Sequence, residues 1–244
     1  MPTISKTHKN KLNDKQLKLL QIIYEFRFGT ADLVGEYICV GRRSMTKSLN
    51  ILVDRGLLAR RFNGVYHLLH KSASYCLAPE GIRALKNNFE LNEKVLHNAY
   101  HDREATQAFV DHSLRIFRTY LDLRAKYPKT FNIMTRSYQA NYDDFPRPKP
   151  DLFLARLKTH STKPSEVFID IFGNNAELWI IKKRIRLYLI HHDEYEWDAD
   201  IYPIVLLLVD DEKKHRKLRR YANKQIEERW VEGEVNIVIS SKVI

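Results

Sequence analysis

Residues 147–158 read RPKPDLFLARLK, and residues 166–172 read EVFIDIF. Both stretches are apolar runs typical of buried strands, yet each contains an aspartate, Asp151 and Asp170. Alternation along the second strand places Asp170 on the face that carries Phe168 and Phe172. A buried carboxylate costs free energy unless it is paired or bound to a cation. The two stretches therefore predict a carboxylate site in the core of a sheet.

If the two acids converge, their repulsion at contact distance is about 4 kcal/mol at an effective dielectric of 20. A positive charge between them is then required. Mg²⁺ or Mn²⁺ suits oxygen ligands and can activate water next to a phosphate. Two simpler interpretations stay open: Asp151 caps a turn after Pro150, or Asp170 forms a buried ion pair with Lys182 and no metal is involved.

Composition narrows the class of protein. The chain has 244 residues, of which 44% are hydrophobic, so two modest domains with packed cores are expected. No run of eighteen apolar residues and no secretory signal occurs, which predicts a cytoplasmic protein without a membrane partner. Cys39 and Cys76 form no disulfide or zinc pattern. Forty-one Lys and Arg against thirty Asp and Glu give a net charge of +11, which favours nucleic acid as the partner.

The first ninety residues predict three helices followed by strands. Asn13 and Thr30 are suitable N-caps for the first two helices, and the stretch GRRSMTKSLNILVDRGLLARR, with Met45, Leu49, Leu52 and Val53 on its apolar side, predicts a third. Asn-Gly at 63–64 predicts a two-residue hairpin within LARRFNGVYHLL. Three helices and a hairpin make up a winged helix, a helix-turn-helix variant whose third helix enters the major groove of double-stranded DNA.

The polar side of the third helix and the predicted wing supply the candidate DNA contacts. They are Arg42, Arg43, Lys47, Ser48 and Asn50 on the helix, with Arg60, Arg61 and His67 near the wing. The alternative is a solvated basic face in a domain that makes protein contacts.

The remaining chain predicts a mixed central sheet with helices on it. A long helix is expected from His101 to about Lys126, followed by strands FNIMT, DLFLARL and EVFIDIF, and a helix over roughly 176–192. YPIVLLLVD reads as a buried central strand, KKHRKLRRYANKQIEERW as a basic surface helix and VNIVIS as a last strand. We therefore predict an α+β protein with a winged-helix domain at 1–95 and an α/β domain at 96–244.

This element order, with Pro150-Asp151 on one strand and an acid on the next, resembles the PD-(D/E)XK restriction-endonuclease-like superfamily. A winged helix that ends in YCLAPEGIRAL, followed by PDLFL, FIDIFG and a Lys-rich helix, resembles the replication-relaxation family and the MOBC class of plasmid mobilisation relaxases. The resemblance covers most of the chain. It implies a metal-dependent DNA relaxase or nicking endonuclease that acts at a plasmid origin in mobilisation, conjugation or replication.

The same resemblance implies roles for particular residues. Asp151 and Asp170 would hold Mg²⁺ or Mn²⁺, Glu104 on the long helix would add a third acid, and Glu166 is a further candidate ligand. The family pattern has lysine where this chain has Phe172. Lys182 or Lys183 on the following helix would replace that lysine, and helical spacing with Leu178, Ile185 and Leu189 predicts that Lys182 points inward.

Functions from other classes remain open. One is a non-catalytic DNA-binding regulator of an operator or origin, whose degenerate nuclease-like domain forms a homodimer or binds other mobilisation or replication proteins. Another is a protein-interaction adaptor without DNA binding. No GxxxxGK[ST] loop occurs, which argues against an NTPase.

Overall fold

The computed structural model of the chain describes residues 12–62, 66, 68, 71–157, 166–194, 197 and 201–242. Its N-terminal part contains three helices and three short strands. These are α1 (Asp14–Phe26), β1 (Gly29–Thr30), α2 (Ala31–Tyr37), α3 (Arg42–Asp54), β2 (Leu58–Arg61) and β3 (Ser74–Leu77). The three predicted helices are therefore confirmed.

Local side-chain chemistry sets the ends of these helices. The side chain of Asn13 accepts from the backbone N–H of Gln16, and the backbone N–H of Asn13 donates to the side chain of Gln16. The two hydrogen bonds form a capping box at the start of α1. Thr30 caps α2 through the N–H of Leu33. Between α2 and α3 the chain turns closely over Gly35, where an added Cβ would lie 2.5 Å from the carbonyl oxygen of Val40. Glycine is thus required for this tight connection.

The predicted two-residue hairpin is wrong. β2 pairs antiparallel with β3, in the register Leu58 with Leu77 and Arg61 with Ser74, and β3 lies between β1 and β2. The segment 62–73 therefore connects the two strands, and Tyr66 within it is helical rather than extended. The Asn-Gly pair at 63–64 lies outside the described residues. The apolar run SYCL forms the strand because all four of its residues are buried.

The C-terminal part is built on a five-stranded sheet. Between β3 and this part lie α4 (Pro79–Asn88) and α5 (Glu93–Ala99), whose buried side chains belong to the N-terminal core. The elements that follow are a 3-10 turn (Asp102–Glu104), α6 (Gln107–Lys126), β4 (Phe131–Thr135), α7 (Arg136–Gln139), β5 (Leu152–Arg156), β6 (Glu166–Phe172), α8 (Leu178–Asp193), β7 (Ile204–Val209), α9 (Glu212–Arg229) and β8 (Ile237–Ser240). The strand order is β4-β5-β6-β7-β8. The first two pairings are antiparallel and the last two parallel, so the predicted mixed sheet is confirmed.

Alternation along the strands separates two cores. Leu152, Ile169 and Leu206 point to the side of the sheet that α6 covers, through Leu123. Phe168 and its neighbours of the same parity point to the opposite side, where they pack against α8 and α9. The helices on the two sides are thus separated by the thickness of the sheet.

Helix α6 joins the two parts of the chain. Its Phe117 stacks on Phe26 of α1 with ring centroids 3.8 Å apart, and both side chains belong to the N-terminal core. The predicted division at residue 95 falls inside α5, and it stays a prediction. None of the described helices is long and apolar enough to span a membrane.

The predicted start of the long helix at His101 is wrong, because α6 begins six residues later. Thr106 is its N-cap and accepts from the N–H of Phe109. The preceding 3-10 turn is held separately, since the buried Asp102 accepts from Nε of Arg27 at 2.8 Å. An ion pair with a residue 75 positions away therefore prevents a single continuous helix.

Candidate functional site

A cavity of about 610 Å³ opens where β5 begins and β6 ends. Asp151 follows Pro150 and directly precedes β5. β5 and β6 are antiparallel with Leu152 opposite Ile169, so Asp170, near the end of β6, lies beside Asp151. The charged and titratable side chains that line this carboxylate cavity are Asp151, Asp170, His112, Arg136, Arg147, Lys183 and Arg184. The two predicted acids therefore converge on one cavity, as expected.

Asp151 is only 2% exposed and is hydrogen-bonded on both oxygens. Its Oδ1 lies 2.8 Å from Nη2 of Arg136 and 3.1 Å from Nε2 of His112. Its Oδ2 accepts from the backbone N–H of Ile171 at 2.8 Å. This carboxylate therefore links β5 to β6, α6 and α7.

Asp170 is 3% exposed and faces α8. Its Oδ2 accepts from Nε of Arg184 and, at 2.7 Å, from the hydroxyl of Tyr188, while its Oδ1 accepts from the backbone N–H of Asp151 at 3.2 Å. Arg184 also donates to the Tyr188 hydroxyl at 2.9 Å and to the carbonyl of Pro148. Asp170 thus forms a buried ion pair, but with Arg184 and not with the predicted Lys182.

The electrostatics of the cavity follow from these pairs. Burial raises the pKa of Asp151, but the Arg136 guanidinium and His112 lower it by more, so its pKa lies below the ordinary value and the group is ionised. Burial lowers the pKa of Arg184, and the carboxylate of Asp170 more than offsets this, so its pKa is raised. Burial and Asp170 raise the pKa of Tyr188, which is therefore a neutral donor.

This donor set does not fit a resident Mg²⁺ or Mn²⁺. Arg136, Arg147, Lys183 and Arg184 set four cationic side chains against two carboxylates, which leaves a net charge of +2 before any charge on His112 is counted. A divalent ion at the acids would have to displace the guanidinium groups of Arg136 and Arg184. Over the ranges that the structure describes, no three His, Cys, Asp or Glu side chains are grouped so that they could hold a metal.

The other predicted site residues are dispersed. Glu104 is exposed on the 3-10 turn rather than on α6, and it does not line the cavity. Glu166 lies at the opposite end of β6 from the cavity and accepts from the indole N–H of Trp197 at 3.2 Å. Lys183 lines the cavity as expected. The inward orientation predicted for Lys182 is wrong, because its ammonium lies over the ring of Tyr221, 4.8 Å from the centroid, between α8 and α9.

Sequence reasoning missed Arg184 and Arg136. For Arg184 a signal existed in the phase of α8. Its buried positions are Ile181, Arg184, Ile185, Tyr188, Leu189 and His191. This spacing fits one helical face more completely than the face chosen from Leu178 and Lys182. Arg136 carried no comparable signal, since it reaches Asp151 from a four-residue helix.

A second group of predicted residues lies on α3. Arg42, Arg43 and Lys47 are exposed, whereas Met45, Leu49 and Leu52 are buried on the opposite side. Arg42 lies 3.3 Å from Asp32. Ser48 is half-buried and donates to the carbonyl of Ser44 at 3.2 Å. Asn50 is turned toward β3 and accepts from the hydroxyl of Tyr75 at 3.2 Å, so its predicted role as a DNA contact is not supported by its position.

The two arginines of β2 point to opposite faces. Arg60 is exposed and lines a cavity of about 330 Å³ with Arg42 and Lys71, between α3 and the small sheet. Arg61 donates to the carbonyl of Ala105 at 2.7 Å and to those of Asp102 and Arg103. It therefore holds the 3-10 turn in place and does not lie with the α3 face, contrary to its predicted role. His67 lies outside the described residues.

Comparison with known proteins gives no family. No protein-family description matches the chain, and neither does any curated protein. Two solved structures of ZitR mutants from Lactococcus lactis are similar to part of it. One is 17% identical over 48% of this chain and 76% of its own, with a TM-score of 0.29. The other is 16% identical over 51% and 79%, with a TM-score of 0.28.

Removing one partner of the buried ion pair should be more damaging than removing both. Arg184→Met leaves Asp170 buried without its guanidinium, and we expect the free energy of unfolding to fall by about 3–5 kcal/mol. The double variant Asp170→Leu/Arg184→Met buries no charge there and should lose less. Urea unfolding of the two variants and the unchanged protein measures the difference. A double variant less stable than Arg184→Met would contradict the assigned pair.

Proposed function

We propose that the chain is a double-stranded DNA-binding protein that places α3 in the major groove. The observation that carries this proposal is the exposed basic face of α3, formed by Arg42, Arg43 and Lys47, on a helix whose other face is anchored in the core. The net charge of +11 favours the same polyanionic partner. The protein would read DNA with this helix and contact the flanking phosphates with other basic groups.

The elements around α3 support a winged helix-turn-helix. α2 and α3 are joined by a tight turn, and the antiparallel strands β2 and β3 follow directly. In such domains the second helix of the motif enters the major groove, which is wide enough for a helix, while the wing contacts the backbone. Arg60 and Lys71 are on the same side as Arg42. Arg60 is the basic group suited to that backbone contact, because Lys71 pairs with Asp111 at 3.0 Å.

For the C-terminal part we favour a non-catalytic role, which makes the protein a DNA-binding regulator with a nuclease-like sheet. The support is that both acids already have cationic partners, Arg136 for Asp151 and Arg184 for Asp170. Such pairs neutralise buried charge without an ion. Homodimer formation, partner proteins and a setting in plasmid mobilisation or replication are carried into this proposal from the sequence resemblance alone.

A metal-dependent relaxase or nickase is the second candidate. One observation favours it: Asp151 and Asp170 lie at a single cavity and are linked by a hydrogen bond of 3.2 Å. It is the weaker candidate because a bound Mg²⁺ would compete with two guanidinium groups, and because Phe172 stands at the expected lysine position.

The DNA-binding proposal predicts a specific loss in the variant Arg43→Gln/Lys47→Gln. Affinity falls with salt concentration, and each lost phosphate contact makes the slope of log affinity against log salt shallower by about 0.9. The loss of two contacts should therefore make it shallower by about 2. Fluorescence anisotropy with a labelled mixed-sequence duplex, at several KCl concentrations, measures this slope. The matched control Lys15→Gln/Lys94→Gln removes the same charge from exposed positions on α1 and α5 and should bind as the unchanged protein does. Equal slopes for both variants would contradict the placement of DNA at α3.

A nicking assay separates the two candidates. Supercoiled plasmid carrying candidate origin sequence is incubated with the protein and Mg²⁺ or Mn²⁺, beside the isosteric variants Asp151→Asn and Asp170→Asn. For the regulator we expect no relaxation by any of the three proteins, with DNA binding retained. Metal-dependent relaxation that is lost in both variants, while their thermal unfolding stays cooperative, would instead establish the nickase.

A further inference from the structure

A second basic surface lies far from α3, in the groove between α8 and α9. The groove has a volume of about 560 Å³. Six basic side chains line it: Lys182 of α8 and Lys213, Arg216, Lys217, Arg220 and Lys224 of α9. All five from α9 are exposed. We call this surface the α8–α9 groove.

Four of the six charges in the groove lack a carboxylate partner among the described residues, whereas Lys224 lies 3.5 Å from Glu228 and Lys182 lies over the ring of Tyr221. Outside the groove, Lys214 lies 3.1 Å from Asp211, Arg219 donates to the carbonyl of Ile239, and Arg229 pairs with Asp193. Within the part of the chain that the structure describes, no carboxylate lies within 4.0 Å of the basic nitrogens of four groove residues. These are Lys213, Arg216, Lys217 and Arg220. Like charges at such helical spacings are destabilising, so an external polyanion is the partner that this surface fits.

The spacing of the groove residues suits a phosphate backbone. Lys213, Lys217, Arg220 and Lys224 follow the i, i+4, i+7, i+11 pattern of one helical face. Over eleven residues α9 rises about 16 Å. Successive phosphates of one DNA strand rise about 3.4 Å along the duplex axis, so the row matches about five of them.

The groove favours duplex over single-stranded nucleic acid. Binding of single strands relies on exposed aromatic rings on which bases stack. The aromatic side chain of this groove, Tyr221, is only partly exposed, and the ammonium of Lys182 lies over its ring. The groove therefore offers charge rather than a stacking surface, as a duplex backbone requires.

The groove and the α3 face do not belong to one continuous surface. α8 and α9 cover one side of the five-stranded sheet, and α6 covers the other. The N-terminal part, with α3, packs against α6 through Phe117. The sheet and α6 therefore lie between the two basic surfaces. We infer that the α8–α9 groove binds the backbone of a second duplex segment, so that one molecule of the protein holds two DNA segments at once.

This inference rests on the proposed function, because it assigns a second contact to a DNA-binding protein. The test uses two mixed-sequence duplexes, one with a donor fluorophore and one with an acceptor, mixed with the full-length protein. Energy transfer reports bridging, and anisotropy with one labelled duplex reports binding. We expect Lys217→Gln/Arg220→Gln to abolish energy transfer. The slope of log affinity against log salt should become shallower by about 2. Lys15→Gln/Lys94→Gln is the matched control and should leave both readouts unchanged.

The outcomes separate this inference from the proposed function. Energy transfer that persists in Lys217→Gln/Arg220→Gln, with the slope unchanged, overturns the second contact, whatever happens at α3. If that variant loses bridging while Arg43→Gln/Lys47→Gln still binds as the unchanged protein does, the groove stands and the role of α3 fails. Because all substituted groove residues are exposed, a thermal melt that matches the unchanged protein confirms that the variants fold.

Discussion

The carboxylate of Asp170 is the group on which the C-terminal part depends. It lies within a central strand of the sheet, where burial of an uncompensated charge would be severely destabilising. Arg184 and Tyr188 reach it from successive turns of α8, so the position of this helix on the sheet is fixed by a polar contact inside an apolar core. The neighbouring Asp151 is compensated in the same way by Arg136 and His112. The two acids that line the cavity are therefore neutralised by internal ion pairs, and the remaining charge of the cavity is positive.

This arrangement explains how two convergent acids can be neutralised inside a sheet by internal ion pairs. In a metal-dependent nuclease, acids at this position need coordination sites open to an ion. Here the guanidinium groups provide the positive charge that convergence requires, and they also tie the strands to α7 and α8. Exposed basic residues are grouped elsewhere, on α3 and in the α8–α9 groove. Neither of these two surfaces contains the buried acids.

Much of the architecture was predictable because it follows from periodicity. The helices of the N-terminal part, the mixed sheet and the buried strand at 204–209 all have strong local patterns. The wrong predictions concern a helix start and a strand pairing, which are determined by residues distant in the sequence. Asp102 is drawn into an ion pair with Arg27, which ends the expected helix early, and β2 takes β3 as its partner instead of the nearer run of residues. Contacts between residues this far apart in the sequence cannot be read from a local hydrophobic pattern.

The candidate site was predictable to a similar extent. Alternation placed Asp170 in the core, and the positions of the two acids on adjacent strands brought them together. The charge partner could not be chosen in the same way, because α8 offers cations at 182, 183 and 184, and the phase of the helix against the sheet decides which one is buried. That phase is set by packing of Ile181 and Ile185, and it directs Arg184, not Lys182, to the acid.

We propose that guanidinium groups, and not a divalent cation, compensate the buried acids. Titration of the purified protein with Mn²⁺, followed by electron paramagnetic resonance of the unbound ion, tests it most directly. We expect the spectrum of unbound Mn²⁺ to grow in proportion to the amount added, up to millimolar concentration. Stoichiometric loss of that signal in the unchanged protein, restored by Asp170→Asn, would contradict the account.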